Sequence, residues 1–150
     1  MSLEIFHDQG RGYMSPLEPT AQEGVTLRLR AARGRIGEAW VQYSADGSCW
    51  KEIPMERGAA DATGTYEFWE GRIPSMAERY HYRFMAREAG TAGGGAQKIL
   101  YYGAEGAAEE EPVLSDCFSV IPGLTTPDWA KGIIWYSVMP DSFYNGDILN

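Results

Sequence analysis

The chain has 150 residues and a formal net charge of −8. That acidity argues against nucleic acid, which is bound through a basic stripe that displaces counterions, and against anionic membrane surfaces. No apolar run approaches the ~20 residues of a membrane span and the N-terminus lacks a signal-peptide pattern, so a soluble, cytoplasmic protein is expected. A single domain of this length buries roughly 70% of its unfolded surface. No disulfide framework is then required, and Cys49 and Cys117, far apart in sequence, are expected as free, buried thiols.

Period-2 patterning dominates the chain and helical periodicity is nearly absent. A short strand is expected over 3–7. In "VTLRLRA", Val25, Leu27, Leu29 and Ala31 alternate with Thr26, Arg28 and Arg30, the mark of a half-buried strand. "EAWVQY" sends Ala39, Val41 and Tyr43 inward and Glu38, Trp40 and Gln42 outward. Asp46-Gly47 within "SADGS" marks a hairpin, because glycine tolerates positive φ, and another strand is expected over 49–55. "TYEFWEGRI" is aromatic on both faces, which leaves its inward set open. "RYHYRFMAR" alternates again, setting Tyr80, Tyr82, Phe84 and Ala86 against Arg79, His81, Arg83, Met85 and Arg87. The glycine-rich "EAGTAGGGAQ" reads as a hairpin loop. Strands are expected over 98–102 and 116–121, with "AEGAAEEEP" between them as a solvated acidic loop.

Many short strands joined by frequent turn signals define an all-β class, an immunoglobulin-like antiparallel β-sandwich over 1–121 whose core closes at about Val120. After "IPG" the texture changes. A linker, 122–131, carries a short helical turn at 128–131 with Thr126 as its N-cap. The remainder, 132–150, opens with Ile133, Ile134, Trp135, Tyr136, Val138 and Met139. These are β-branched and aromatic with little alternation, as in a strand covered on both faces within a parallel sheet.

"TPDWAKGIIWYSVMPDSFYNGD" resembles the opening of the catalytic barrel in the alpha-amylase superfamily of glycoside hydrolases, in particular the neopullulanase, cyclomaltodextrinase and maltogenic amylase group. The positions that carry the resemblance are Pro127, Asp128, Trp129, Lys131, Tyr136, Pro140, Asp141, Phe143, Asn145, Gly146 and Asp147. Ser137, Met139 and Ser142 depart from it, standing where the group has Gln, Phe and Arg. Upstream, "HDQGRGYMSPLEP", "VTLRLRAARGRI", "YEFWEGRIP" and "RYHYRF" are similar to the N-terminal starch-type carbohydrate-binding domain of that group. The resemblance implies an accessory sandwich followed by the first strand of a (β/α)8 barrel whose remaining strands are not in the chain.

It further implies a parent that hydrolyses α-glucans, malto-oligosaccharides or cyclodextrins with retention, and that works as a homodimer in which this domain packs beside the partner's barrel. The carboxylate pair of such a reaction is implied to lie on later barrel strands, so no catalytic residue is assigned here and Asp141 is read as structural. Asn145, Asp147 and Asn150 match calcium ligands of the group, but three oxygen donors fall short of the usual 6 to 8. They are assigned to calcium in the intact parent alone. For sugar, chemistry asks for flat aromatics that stack on pyranose faces. Trp40, on a polar strand face between Glu38 and Gln42, is the leading candidate, followed by Trp69, Trp50, Tyr66 and Tyr102. For each, sandwich core is the competing reading. His7 and His81 have no cysteine or second histidine close in sequence and are not assigned to metal. A protein-interaction module of immunoglobulin type, with no glycan binding, is the alternative reading of the whole chain.

Overall fold

The computed structural model describes residues 4–90, 97–134 and 137. Its strands are β1 (Met14–Ser15), β2 (Val25–Ala32), β3 (Ile36–Ser44), β4 (Lys51–Pro54), β5 (Glu56–Ala60), β6 (Tyr66–Ile73), β7 (Tyr80–Glu88), β8 (Ile99–Gly103), β9 (Gly106–Ala108) and β10 (Phe118–Val120). They pair antiparallel in two sheets. One has the order β1-β2-β6-β5, the other β4-β3-β7-β8-β9 with β10 also on β7. β3 runs along one edge of β7, so β8 (against 84–87) and β10 (against 80–82) share the other edge end to end. This is the all-β, antiparallel two-sheet class that the alternation implies.

The expected inward sets form the core. Val25, Leu27, Leu29 and Ala31 from β2 meet Ala39, Val41 and Tyr43 from β3 and Tyr80, Tyr82, Phe84 and Ala86 from β7, all buried. In β6 the inward residues are Glu67, Trp69, Gly71 and Ile73. Gly71 lies where the sheets come together: a Cβ there would sit 3.1 Å from the Met55 side chain and 3.2 Å from that of Val41, and both would have to give way. The Asp46-Gly47 turn forms as expected: Gly47 has φ 79°, and Asp46 accepts from the Ser48 amide at 2.9 Å.

Three expectations are corrected. Cys117 is buried but Cys49 is exposed, both as free thiols, since 49 lies in the open turn before β4. The acidic "AEGAAEEEP" contributes β9 and is tied to the sheet, Glu109 to Lys98 and Glu111 to Arg83. The helical turn is a 3-10 turn over Asp128–Ala130 whose N-cap is Pro127, with no side-chain capping bond. The Thr126 amide instead donates to Glu18 at 2.9 Å. The segment expected to open a barrel is described only at Ile133, Ile134 and Ser137, all exposed, and the remainder of it lies outside the described residues. Asn145, Asp147 and Asn150 also lie outside them.

At the end of β8, Gly103 presses against the turn over Leu114–Asp116. A Cβ there would stand 2.3 Å from the Asp116 carbonyl oxygen, which already accepts from the Ala104 amide at 2.6 Å. Backbone cannot yield as a flexible side chain does, so Gly103→Ala is expected to cost ~1–3 kcal/mol as overpacking. A fall in the denaturant midpoint at constant slope would show it, and an unchanged midpoint would contradict so close an approach.

Candidate functional site on the outer face of the larger sheet

Register fixes which side chains share the solvent side of the six-stranded sheet. Trp40 on β3 lies opposite Pro54 on β4 and Met85 on β7, and Met85 lies opposite Tyr101 on β8. One step along, Gln42 stands between Glu52 and Arg83. Because side chains alternate along a strand, these two rows face the same way. The result is an apolar row of Pro54, Trp40, Met85 and Tyr101 beside a polar row of Glu52, Gln42 and Arg83.

Arg83 is the hub of this face. It is only 3% exposed, a costly place for a charge unless every donor is used. Its Nε donates to Gln42 Oε1 at 2.7 Å, Nη2 to Glu111 Oε2 at 2.7 Å, and Nη1 to the Pro112 carbonyl at 3.0 Å. The guanidinium also lies 4.2 Å from the centre of the Trp50 ring and 5.4 Å from that of Tyr101. A planar fork can donate in its plane and stack on its faces at once, which lysine cannot do. Gln42 passes the order outward, its Nε2 donating to Glu52 Oε1 at 2.6 Å. Burial, then the Glu111 charge, raises the Tyr101 phenol above its ordinary range. On the other flank, Arg87 pairs with Glu38 and lies 5.1 Å from the centre of the Trp40 ring.

Not all the sequence candidates meet here. Trp40 and Trp50 do, both half-buried. Trp69 does not. It is 4% exposed in the core, with its indole N–H donating to Glu67 at 3.2 Å and Arg57 over its ring at 4.9 Å. Its faces are closed to a sugar. Tyr66 lies on the opposite sheet, with Arg30 4.6 Å from its ring centre. Tyr102 points inward against the core, its hydroxyl donating to the His7 carbonyl at 3.3 Å. Its neighbour Tyr101 is the outward residue, and the alternation of β8 about buried Leu100 was the signal that could have found it. Glu111 gave no such signal, because a loop has no period. Among the described residues no group of His, Cys, Asp or Glu is placed to hold a metal ion, and no helix is long and apolar enough to cross a membrane.

In class, then, this is an antiparallel β-sandwich domain with an ordered aromatic face on its larger sheet. No family model matches the chain. It is 33% identical over 136 residues to an amylopullulanase of Thermoanaerobacter thermohydrosulfuricus, an alignment that takes in 84% of the chain and 9% of that protein. It is 28% identical to neopullulanase 2 of Thermoactinomyces vulgaris, over all of the chain and 25% of the relative. Among solved structures a cyclomaltodextrinase shares the fold, with a TM-score of 0.62, 17% identity, and coverage of 81% of this chain and 20% of that one. The chain is a homologue of one segment of the amylopullulanases, neopullulanase and cyclomaltodextrinase. It spans no more than a quarter of the length of the two relatives described.

Proposed function

We propose that the chain is the N-terminal accessory sandwich of a glycoside hydrolase of the alpha-amylase family acting on α-glucans or cyclodextrins, and that the sandwich itself binds the glycan. The relatives' names supply the substrate class. The observation that carries the binding role is Trp40, half-buried on a sheet face beside a fixed amide and carboxylate, Gln42 and Glu52. Each stacked ring contributes on the order of 1–3 kcal/mol in the analogous base-stacking case, so the affinity is expected to be weak. Calorimetric titration of the chain with maltoheptaose and with β-cyclodextrin tests this. Saturable binding supports it, and a flat response into high millimolar sugar removes it. The chain alone is expected to release no reducing sugar from pullulan, starch or cyclodextrin, because the carboxylate pair of such hydrolases is expected outside it. Steady turnover by purified protein would overturn the assignment to an accessory domain.

A scaffolding role has its own support at the end of the sandwich where the chain leaves β10. Leu17, Ile121 and Leu124 are exposed there, at 41%, 37% and 63%, around a cleft floored by Met14 and Val120. An apolar end of this kind suits a second copy of the chain. Light scattering would then report a mass that rises with concentration and falls in Leu124→Glu. A monomer at every concentration would leave glycan binding as the better account.

A further inference from the structure

We propose that a linear α-glucan lies across the strands on the row Trp40–Met85–Tyr101, with its hydroxyl edge against the rim carboxylates Glu52 and Glu111, which buried Gln42 and Arg83 hold in place. The inference rests on the glycan-binding reading and adds the location, direction and length of the site. Trp40 and Tyr101 are separated by β7 alone. Neighbouring strands are ~4.8 Å apart, so the two aromatic positions are ~9.6 Å apart across the sheet. That span takes in two steps of a linked pyranose chain, so the two rings face alternate sugars, and Met85, soft and adaptable, lies under the sugar between them.

The strip is one residue wide and polar on both long sides. On one side stand Gln42, Glu52 and Glu111, all indexed to buried Arg83. On the other, Glu38 and Arg87 are paired with each other. A glucan chain has the same cross-section, apolar ring faces between hydroxyl edges. The near rim is built before any ligand arrives, because Arg83 is 3% and Gln42 5% exposed with their partners in place. Glu52 accepts from Gln42, and Glu111 accepts from Arg83 and, at 3.3 Å, from the Tyr101 hydroxyl; each carboxylate keeps further lone pairs that can accept sugar hydroxyls without dismantling the network. Arg83 is therefore a positioning residue, since it sets the rim and backs Trp50 and Tyr101.

The test is a titration series on the 150-residue chain with maltose, maltotriose, maltotetraose and maltoheptaose. Affinity is expected to climb with length until both rings are covered and then level off. Trp40→Ala and Tyr101→Ala are each expected to weaken maltoheptaose binding by about 5- to 100-fold. Tyr101→Phe, which keeps the ring, should retain most of the affinity, and Tyr66→Ala on the opposite sheet should change nothing. Thermal unfolding of every variant separates lost binding from lost fold. Wild-type affinity in both alanine variants would overturn the location while leaving glycan binding intact. An affinity flat from maltose onward would overturn the two-ring footprint. A chain that binds none of the sugars would remove the functional reading together with this inference.

Discussion

Between pH 7 and pH 3.5 the sandwich is expected to lose about 3 kcal/mol of folding stability through one buried imidazole, His7. The residue is 3% exposed and ringed by Phe84 and Phe118 at 4.6 and 4.9 Å between ring centres. Its Nδ1 lies 2.6 Å from the Arg28 carbonyl and its Nε2 2.9 Å from the Tyr82 hydroxyl. A carbonyl only accepts, so Nδ1 carries the proton, and Nε2 accepts from Tyr82 in the neutral ring. Burial pushes the imidazole from 6.5 down to about 4, against the Arg28 bond and the nearby Asp8 charge, which act the other way. The unfolded chain therefore takes up a proton near pH 6.5 that the folded chain refuses until about pH 4. Stability is complete above pH 6.5 and drains away as pH falls through that window.

Carboxylates contribute later. Asp46, Asp61, Glu18, Glu23 and Glu109 are all held below their ordinary values by hydrogen bonds, so their contributions fade only as they protonate in stronger acid. Denaturant titrations at pH 7 and 4.5 should differ by about 2 kcal/mol, and His7→Gln should flatten that slope. Tyr82→Phe should lower stability at both pH values yet keep the slope, because the ring stays desolvated. The same slope in His7→Gln would assign the acid sensitivity elsewhere.

What the sequence made legible was whatever a strand records with one wet face. β2 and β7 sort cleanly because arginines alternate with core residues, and burial follows that alternation at each position except Arg83. β6 does not sort, since Tyr66 and Phe68 on its outer face are as aromatic as Trp69 inside. Their outer environment comes from distant chain, Arg30 against Tyr66 and Tyr13 6.3 Å from Phe68. For this reason the sequence leaves open which face Trp69 takes. In the short β8 a single step exchanges the two faces, so pattern alone, without the burial of Leu100, does not choose between Tyr101 and Tyr102 as the outward residue. Trp40 was readable because its neighbours Glu38 and Gln42 are polar. The hub that orders the face was not, because Arg83 looks like any solvated arginine until Glu111, 28 residues on, closes over it. Long-range satisfaction of a buried charge leaves no periodic trace.

That hub yields the second large effect. Arg83→Met is expected to destabilise the domain by about 2–3 kcal/mol, and the loss should come from Gln42 rather than from the broken ion pair. Glu111 is 61% exposed, so it simply rehydrates, and an ion pair with one partner in water contributes about 0–1 kcal/mol. Gln42 has no such recourse. At 5% exposure its Oε1 would lose the Arg83 donor at 2.7 Å with no water to replace it, and an orphaned buried acceptor costs about 1–3 kcal/mol. The ring faces of Trp50 and Tyr101 lose their cation as well. Three variants separate these causes. Glu111→Gln keeps an acceptor for Arg83 Nη2 but removes the charge that faces the buried guanidinium, so its cost isolates that of the ion pair and should be smaller than that of Arg83→Met. Arg83→Lys should recover little, because one ammonium cannot span Gln42, Glu111 and the Pro112 carbonyl while stacking between two rings. Arg83→Met combined with Gln42→Met should be more stable than Arg83→Met alone, since removing both partners leaves nothing unpaired. A double variant worse than the sum of its singles would show that the network, and not the orphaned amide, carries the stability, and the rim would then depend on Arg83 for its existence as well as its order.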